Sequence, residues 1–221
     1  MPAEILQIMR PEITSTIERL NKRRFLPDPI AGGHFSKIVS VMSSAYKRHG
    51  YIIERAILEQ LKLCPNFDVW RDDTFMVSAM ADQIVAQGMN NPAALRGTET
   101  AYQEGHRTLQ VDAIVFNKET RHLSAYEIKR GAGKHDSGKT RQILRDVLCV
   151  QVLLKAYGIS RGFDVQTSSS HVIFYYGICS LRPPYRLTKN DLDEHFGWAV
   201  AADVEEVNGY YKEQLYAILA G

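Results

Sequence analysis

Cysteine is scarce in this chain, and the three residues present, Cys64, Cys149 and Cys179, are odd in number and widely separated. That argues against a disulfide frame or a cysteine-based zinc site and points to buried free thiols in a reducing compartment. The seven histidines, His34, His49, His106, His122, His135, His171 and His195, show no metal-ligand spacing, which argues against zinc. No apolar run is long enough to span a bilayer, and Glu4 interrupts any signal-like N-terminal core, so a cytoplasmic protein with no membrane partner is expected. Neither a Pro/Ser-rich linker nor an internal repeat is visible. The 221 residues suffice for one substantial core, and a single domain over 1–221 follows. A net charge of +2 is too small to imply a partner, so only its distribution informs.

Apolar periodicity predicts helix over about 3–24, a break at Pro27-Asp28-Pro29 and Gly32-Gly33, further helix over 35–63, and a short helix over Val77–Gln87. A helix is expected over 139–157, a buried strand over His171–Ile178, and mostly helix over 189–219. The fold class is therefore α/β. A sheet of at least three strands forms a core over about 50–180, between a helical N-terminal part (about 1–63) and a helical C-terminal part (about 189–221). A helix crossing between the second and third strands makes the later strand parallel to a neighbour.

Two strand-like runs carry charges where apolar residues are expected. Val111-Asp112-Ala113-Ile114-Val115-Phe116 contains Asp112, and Leu123-Ser124-Ala125-Tyr126-Glu127-Ile128-Lys129-Arg130 contains Glu127 and Lys129. A buried charge is costly unless it is paired or binds a metal. With Lys118 and Glu119 as a two-residue turn, Asn117 faces Thr120 and Asp112 faces Ala125. Asp112, Glu127 and Lys129 then share one sheet face, with Glu127 diagonal to Asp112 at about 7–8 Å between Cα atoms. A one-residue slip would send Asp112 to the other face.

Two carboxylates completed by water and substrate phosphate suit Mg²⁺, with Mn²⁺ as a substitute. A lysine on the same face can position or deprotonate an attacking water, or stabilise charge developing on phosphorus. An Asp on one hairpin strand and Glu127-Ile128-Lys129 on its partner resemble the PD-(D/E)XK nuclease superfamily; Val111 stands where a proline often precedes the Asp. The resemblance implies a restriction-endonuclease-like mixed sheet flanked by helices and Mg²⁺-dependent cleavage of double-stranded DNA. Asp112, Glu127 and the Ile128 position would hold the metal, and Lys129 would assist the attacking water. Glu54, on a helix before the sheet, matches the family's additional acidic ligand. It also reads as a solvated carboxylate paired with Arg55 or Lys62.

Beyond Lys129 the chain is glycine-rich and basic, with Arg130, Lys134, His135, Lys139, Arg141, Gln142 and Arg145 as candidate DNA contacts, and Asp136 and Asp146 as the acids in that window. Residues 133–140 also satisfy the letters of a phosphate-binding P-loop, Gly-x₄-Gly-Lys-Thr, which keeps a nucleotide-binding alternative open. Gln151 lies on the same helix. Tyr102, Tyr175, Tyr176, Tyr210, Tyr211 and Tyr216 are available for base stacking or for core packing. The acidic C-terminal segment is expected to face away from DNA. A homodimeric type II restriction endonuclease is the expected role, with a structure-specific repair or mobile-element nuclease and a non-cleaving DNA-binding module as alternatives.

Overall fold

The computed structural model describes residues 3–22, 26–133, 136–179 and 181–220, excluding the side chain of His34. Helix α1, Glu4–Lys22, buries Ile5, Met9, Ile13, Ile17 and Leu20 on one stripe, the three- and four-residue spacing the sequence displays. Helix α2 follows as one 31-residue element, Gly32–Lys62. Before α2 the Asp28 carboxylate shapes a turn by accepting the Ile30 and Ala31 amides at 2.8 and 2.9 Å. Helix α6, Ala201–Ala220, packs against both α1 and α2.

The sheet has five strands in the order β1 Phe67–Val77, β2 Arg107–Asn117, β3 His122–Lys129, β4 Thr167–Phe174 and β5 Arg186–Leu187. The first three run antiparallel, while β3, β4 and β5 run parallel, so the sheet is mixed. Helix α3, Ala79–Gly88, lies between β1 and β2 in the chain. Helix α4, Ser137–Ser160, makes the crossover from β3 to β4, as its length and position predict. Helix α5, Leu192–Phe196, precedes α6. The expected strand at 171–178 instead begins at Thr167 and ends at Phe174, because the chain turns at Gly177, whose φ is +80°.

Side-chain alternation divides the core. Ala113, Val115, Tyr126, Ile128 and Ile173 face α1, α2, α5 and α6. Ile114, Phe116, Leu123, Ala125 and Val172 face α3 and α4. By the same alternation Asp112, Glu127 and Lys129 share the α4 face. No described helix is long and apolar enough to cross a membrane.

The hairpin register differs from the expected one. The connection is four residues long, with Arg121 left-handed at φ 54°, and Asn117 pairs with His122 rather than Thr120. Ile114, not Asp112, therefore faces Ala125, and extending the register one step past Ala113–Tyr126 sets Glu127 directly across from Asp112 instead of diagonal to it. The displacement is two residues, an even number, so the charged trio stays on one face.

Candidate functional site

The β2–β3 ladder ends at Ala113–Tyr126, and just beyond it a side chain replaces the backbone partner. Asp112 is 3% exposed, and its Oδ2 accepts the Ile128 amide at 2.8 Å while its Oδ1 accepts Gln110 Nε2 at 3.0 Å. Each carboxylate oxygen still has a free lone-pair direction. Glu127 and Lys129 stand on β3 as an ion pair. Just after them Gly131 takes φ +66° against the Phe174 backbone, where a Cβ would come within 2.9 Å, so only glycine lets the chain leave the strand here.

These groups line a pocket of about 850 Å³ that reaches from α2 to α4. Glu54 enters from α2, and Tyr46, Lys47 and Tyr51 line the same side. From the opposite side come Lys139 and Asp146. The partner of Glu54 is Arg71 on β1, which also holds Asp73 at 2.6 Å; Arg55 pairs with Glu12 and Lys62 with Glu59. Register shifts in β1 on either side of Asp72 break its alternation beside Arg71.

Burial and the neighbouring Asp112 raise Glu54 to about 7 despite Arg71. Burial also raises Glu127, reinforced by Asp112 and only partly offset by Lys129. For Lys129, burial acts to lower the value but is outweighed by Glu127, Asp112 and Glu54, so the ammonium is held above its ordinary range. Lys129 is thus a fixed cation at neutral pH, suited to stabilising negative charge and unsuited to accepting a proton. Glu54 and Glu127, both raised by burial and by the neighbouring Asp112, mark a local deficit of positive charge.

The Glu54 penalty predicts a pH signature. Its charged form is disfavoured in the folded protein, so the cost is absent below its ordinary value near 4.5, grows as pH rises towards about 7, and persists above. Glu54→Gln should match wild type in thermal stability at pH 4. At pH 8, without divalent cation, it should exceed wild type by about 2 kcal/mol, or roughly 4–8 °C, in a thermal melt. Equal melting temperatures at both pH values would remove the electrostatic cost assigned to this carboxylate.

The other expected site residues separate. Arg130 lines the pocket; its guanidinium lies 4.8 Å from the Tyr46 ring and its Nε donates to His49 Nδ1 at 3.2 Å. Arg145 and Gln142 are engaged within the protein: Arg145 pairs with Asp82 at 2.8 Å, and Gln142 donates to Asp146 at 2.9 Å. Arg141 is exposed near the start of α4. Gln151 joins α4 to β4, donating to the Ser168 carbonyl and accepting the Ser170 amide. Lys134 and His135 lie outside the described residues. Arg71 reaches Glu54, and Asp146 reaches the pocket wall, only through tertiary packing; nothing in their own sequence neighbourhoods marks either role.

At the start of α4 the Asp136 carboxylate accepts the Lys139 amide at 2.8 Å. An acidic side chain therefore occupies the helix end where the P-loop alternative would seat a phosphate, which weighs against it.

Among the described residues, no three His, Cys, Asp or Glu side chains are gathered tightly enough to hold an ion by themselves. Glu127 is drawn to Lys129 and Glu54 to Arg71. The donor set nevertheless fits Mg²⁺ in its usual manner, one or two carboxylates with the remaining ligands from water and substrate. Asp112 supplies spare lone pairs, Glu127 stands across from it, and the Ile128 backbone is held beside it. No protein-family model, curated protein or solved structure matches this chain.

Proposed function

We propose that this protein is a Mg²⁺-dependent DNA endonuclease with a restriction-endonuclease-like core. The supporting observation is Asp112 at the point where the β2–β3 ladder ends, facing the Glu127–Lys129 pair on the floor of a pocket that Glu54 also enters. Asp112 and Glu127 would hold the cation with the Ile128 carbonyl, and Glu54 would be an outer or additional ligand. When bound, the cation supplies a water acidic enough to attack at neutral pH and a counter-charge for the phosphodiester.

The chain's own groups divide the remaining work. Lys129 places a permanent positive charge where the phosphorus centre gains negative charge. Lys47, Lys139 and Arg130 add positive charge along the pocket to attract the phosphate backbone. Cutting both strands at one site would take two copies of the chain, as in a homodimeric restriction enzyme. A structure-specific nuclease is the second reading, favoured by the aromatic pocket described below.

The test is cleavage of plasmid and mixed linear DNA by wild type and Lys129→Ala, with Mg²⁺ and with chelator. Wild type should cut only with Mg²⁺, and Lys129→Ala should be slower by about 10²–10³-fold. Discrete duplex fragments would favour the restriction role, and preference for forks or flaps the structure-specific one. Binding without cleavage would favour a DNA-binding module, and equal cleavage by both proteins would remove Lys129 from the chemistry.

A further inference from the structure

A second pocket, of about 410 Å³, adjoins the first, and Tyr46 and Arg130 line both. Its walls are aromatic. Tyr46, Tyr176 and Tyr216 are exposed by 49%, 38% and 55%, well above what core packing would leave. Behind them His49 stacks on the buried Tyr211 with ring centroids 5.2 Å apart and planes within 5°.

The polar groups here are held in place. Arg130 lies over both the Tyr46 and Tyr176 rings, at 4.8 and 5.7 Å. It donates to His49 Nδ1, so the histidine proton sits on Nε2 and is donated to Asn208 Oδ1 at 3.0 Å. Asn208 in turn donates to Glu205 at 2.9 Å. This relay fixes the arginine, the histidine ring and the pocket floor together. Lys212 lies 5.6 Å from the Tyr216 ring.

Partly exposed aromatic rings, each with a cation over one face, form the kind of platform that binds unstacked bases, whose π-faces stack without regard to sequence while the cations follow the backbone. The volume falls within the range of small-ligand sites. Continuity with the first pocket through Arg130 makes the strand entering that pocket the natural occupant. A base inside a continuous duplex is stacked on its neighbours, so only an unpaired or extruded one could enter.

We infer that this pocket receives an unpaired nucleobase of the DNA strand whose phosphodiester lies against Asp112 and Lys129, with Arg130 holding the phosphate between the two pockets. The inference rests on the nuclease reading and names its substrate class: DNA carrying an unpaired nucleotide beside the cleaved bond.

The test uses wild type, Tyr176→Ala and Tyr216→Ala, both altered rings being partly exposed. Each protein is titrated, with chelator present, against a flap oligonucleotide carrying 2-aminopurine at the unpaired position beside the junction, and against a continuous duplex carrying it internally. Cleavage of the same DNAs is then measured with Mg²⁺. Wild type should quench the flap probe and bind it more tightly than the duplex. Each variant should weaken flap binding roughly tenfold and leave duplex binding unchanged. Quenching that both variants abolish, without cleavage by any protein, would uphold the base pocket and remove the nuclease reading. Mg²⁺-dependent cleavage with no flap preference, or with flap binding indifferent to both substitutions, would overturn the base pocket and leave the nuclease reading standing.

Discussion

Asp112→Asn should lower Mg²⁺-dependent cleavage by about three orders of magnitude while leaving stability unchanged, whereas Asp112→Ala should lower both cleavage and stability. The difference follows from the two hydrogen bonds of the carboxylate. An asparagine can turn its oxygen to the Ile128 amide and its NH₂ to the Gln110 side chain, whose amide flips to present oxygen. The splayed strand ends stay satisfied, but the negative charge needed to hold a divalent cation is gone. Alanine strips the Ile128 amide of its acceptor at a buried position, which costs about 1–3 kcal/mol. Single-turnover cleavage paired with thermal melts separates the two effects. An asparagine variant that cleaves like wild type would show that the charge does no chemistry.

The largest stability effect should come from Arg107→Met, at a cluster that borders the pocket through Asp146. Asp82 is 7% exposed, and Arg107 grips both its oxygens, at 2.8 and 3.0 Å, while reaching Asp146 at 3.0 Å. Arg145 and His106 complete the cluster at 2.8 and 3.2 Å. Removing the central cation leaves a buried carboxylate under-compensated and should cost about 3 kcal/mol, or roughly 6–12 °C in melting temperature. The Arg107 hydrogen bonds hold Asp82 well below its ordinary value of 3.8. That stabilisation is present above pH 4 and lost as acid titrates the group, so the gap between variant and wild type should be widest near neutrality and narrow below pH 4. Because Arg107 also anchors Asp146 on the pocket wall, slower cleavage is expected alongside. A gap that does not change with pH would assign the loss to packing instead.

The candidate site is legible where charge breaks an apolar pattern. Asp112, Glu127 and Lys129 stood out because strands buried on both faces seldom carry ionisable groups, and the face they share survived a two-residue error in register. The register itself could not be read, since a left-handed Arg121 closing a four-residue turn has no distinctive sequence signal. Strand β1 is not predicted from the sequence. Its charged stretch Arg71-Asp72-Asp73 and its broken pairing erase the two-residue alternation that identifies a strand, and Arg71 was hidden with it. Arg145 reads from the sequence as a DNA contact because its partner Asp82 lies 63 residues away on α3, a contact that only tertiary packing creates. Helices α1, α2 and α4 were plain from their apolar spacing, and the parallel β4 followed from the length of the α4 crossover.

A divalent-cation site at Asp112 can be tested without knowing which DNA is cut. Thermal unfolding of wild type and Asp112→Asn should be followed at pH 8 and pH 5 across a Mn²⁺ titration, because an ion that binds only the folded state raises its melting temperature. Wild type should rise by several degrees at pH 8, and much less at pH 5, where Glu54 holds its proton; Asp112→Asn should not rise at either pH. No rise in wild type, or the same rise in both proteins, would contradict a cation site at this carboxylate.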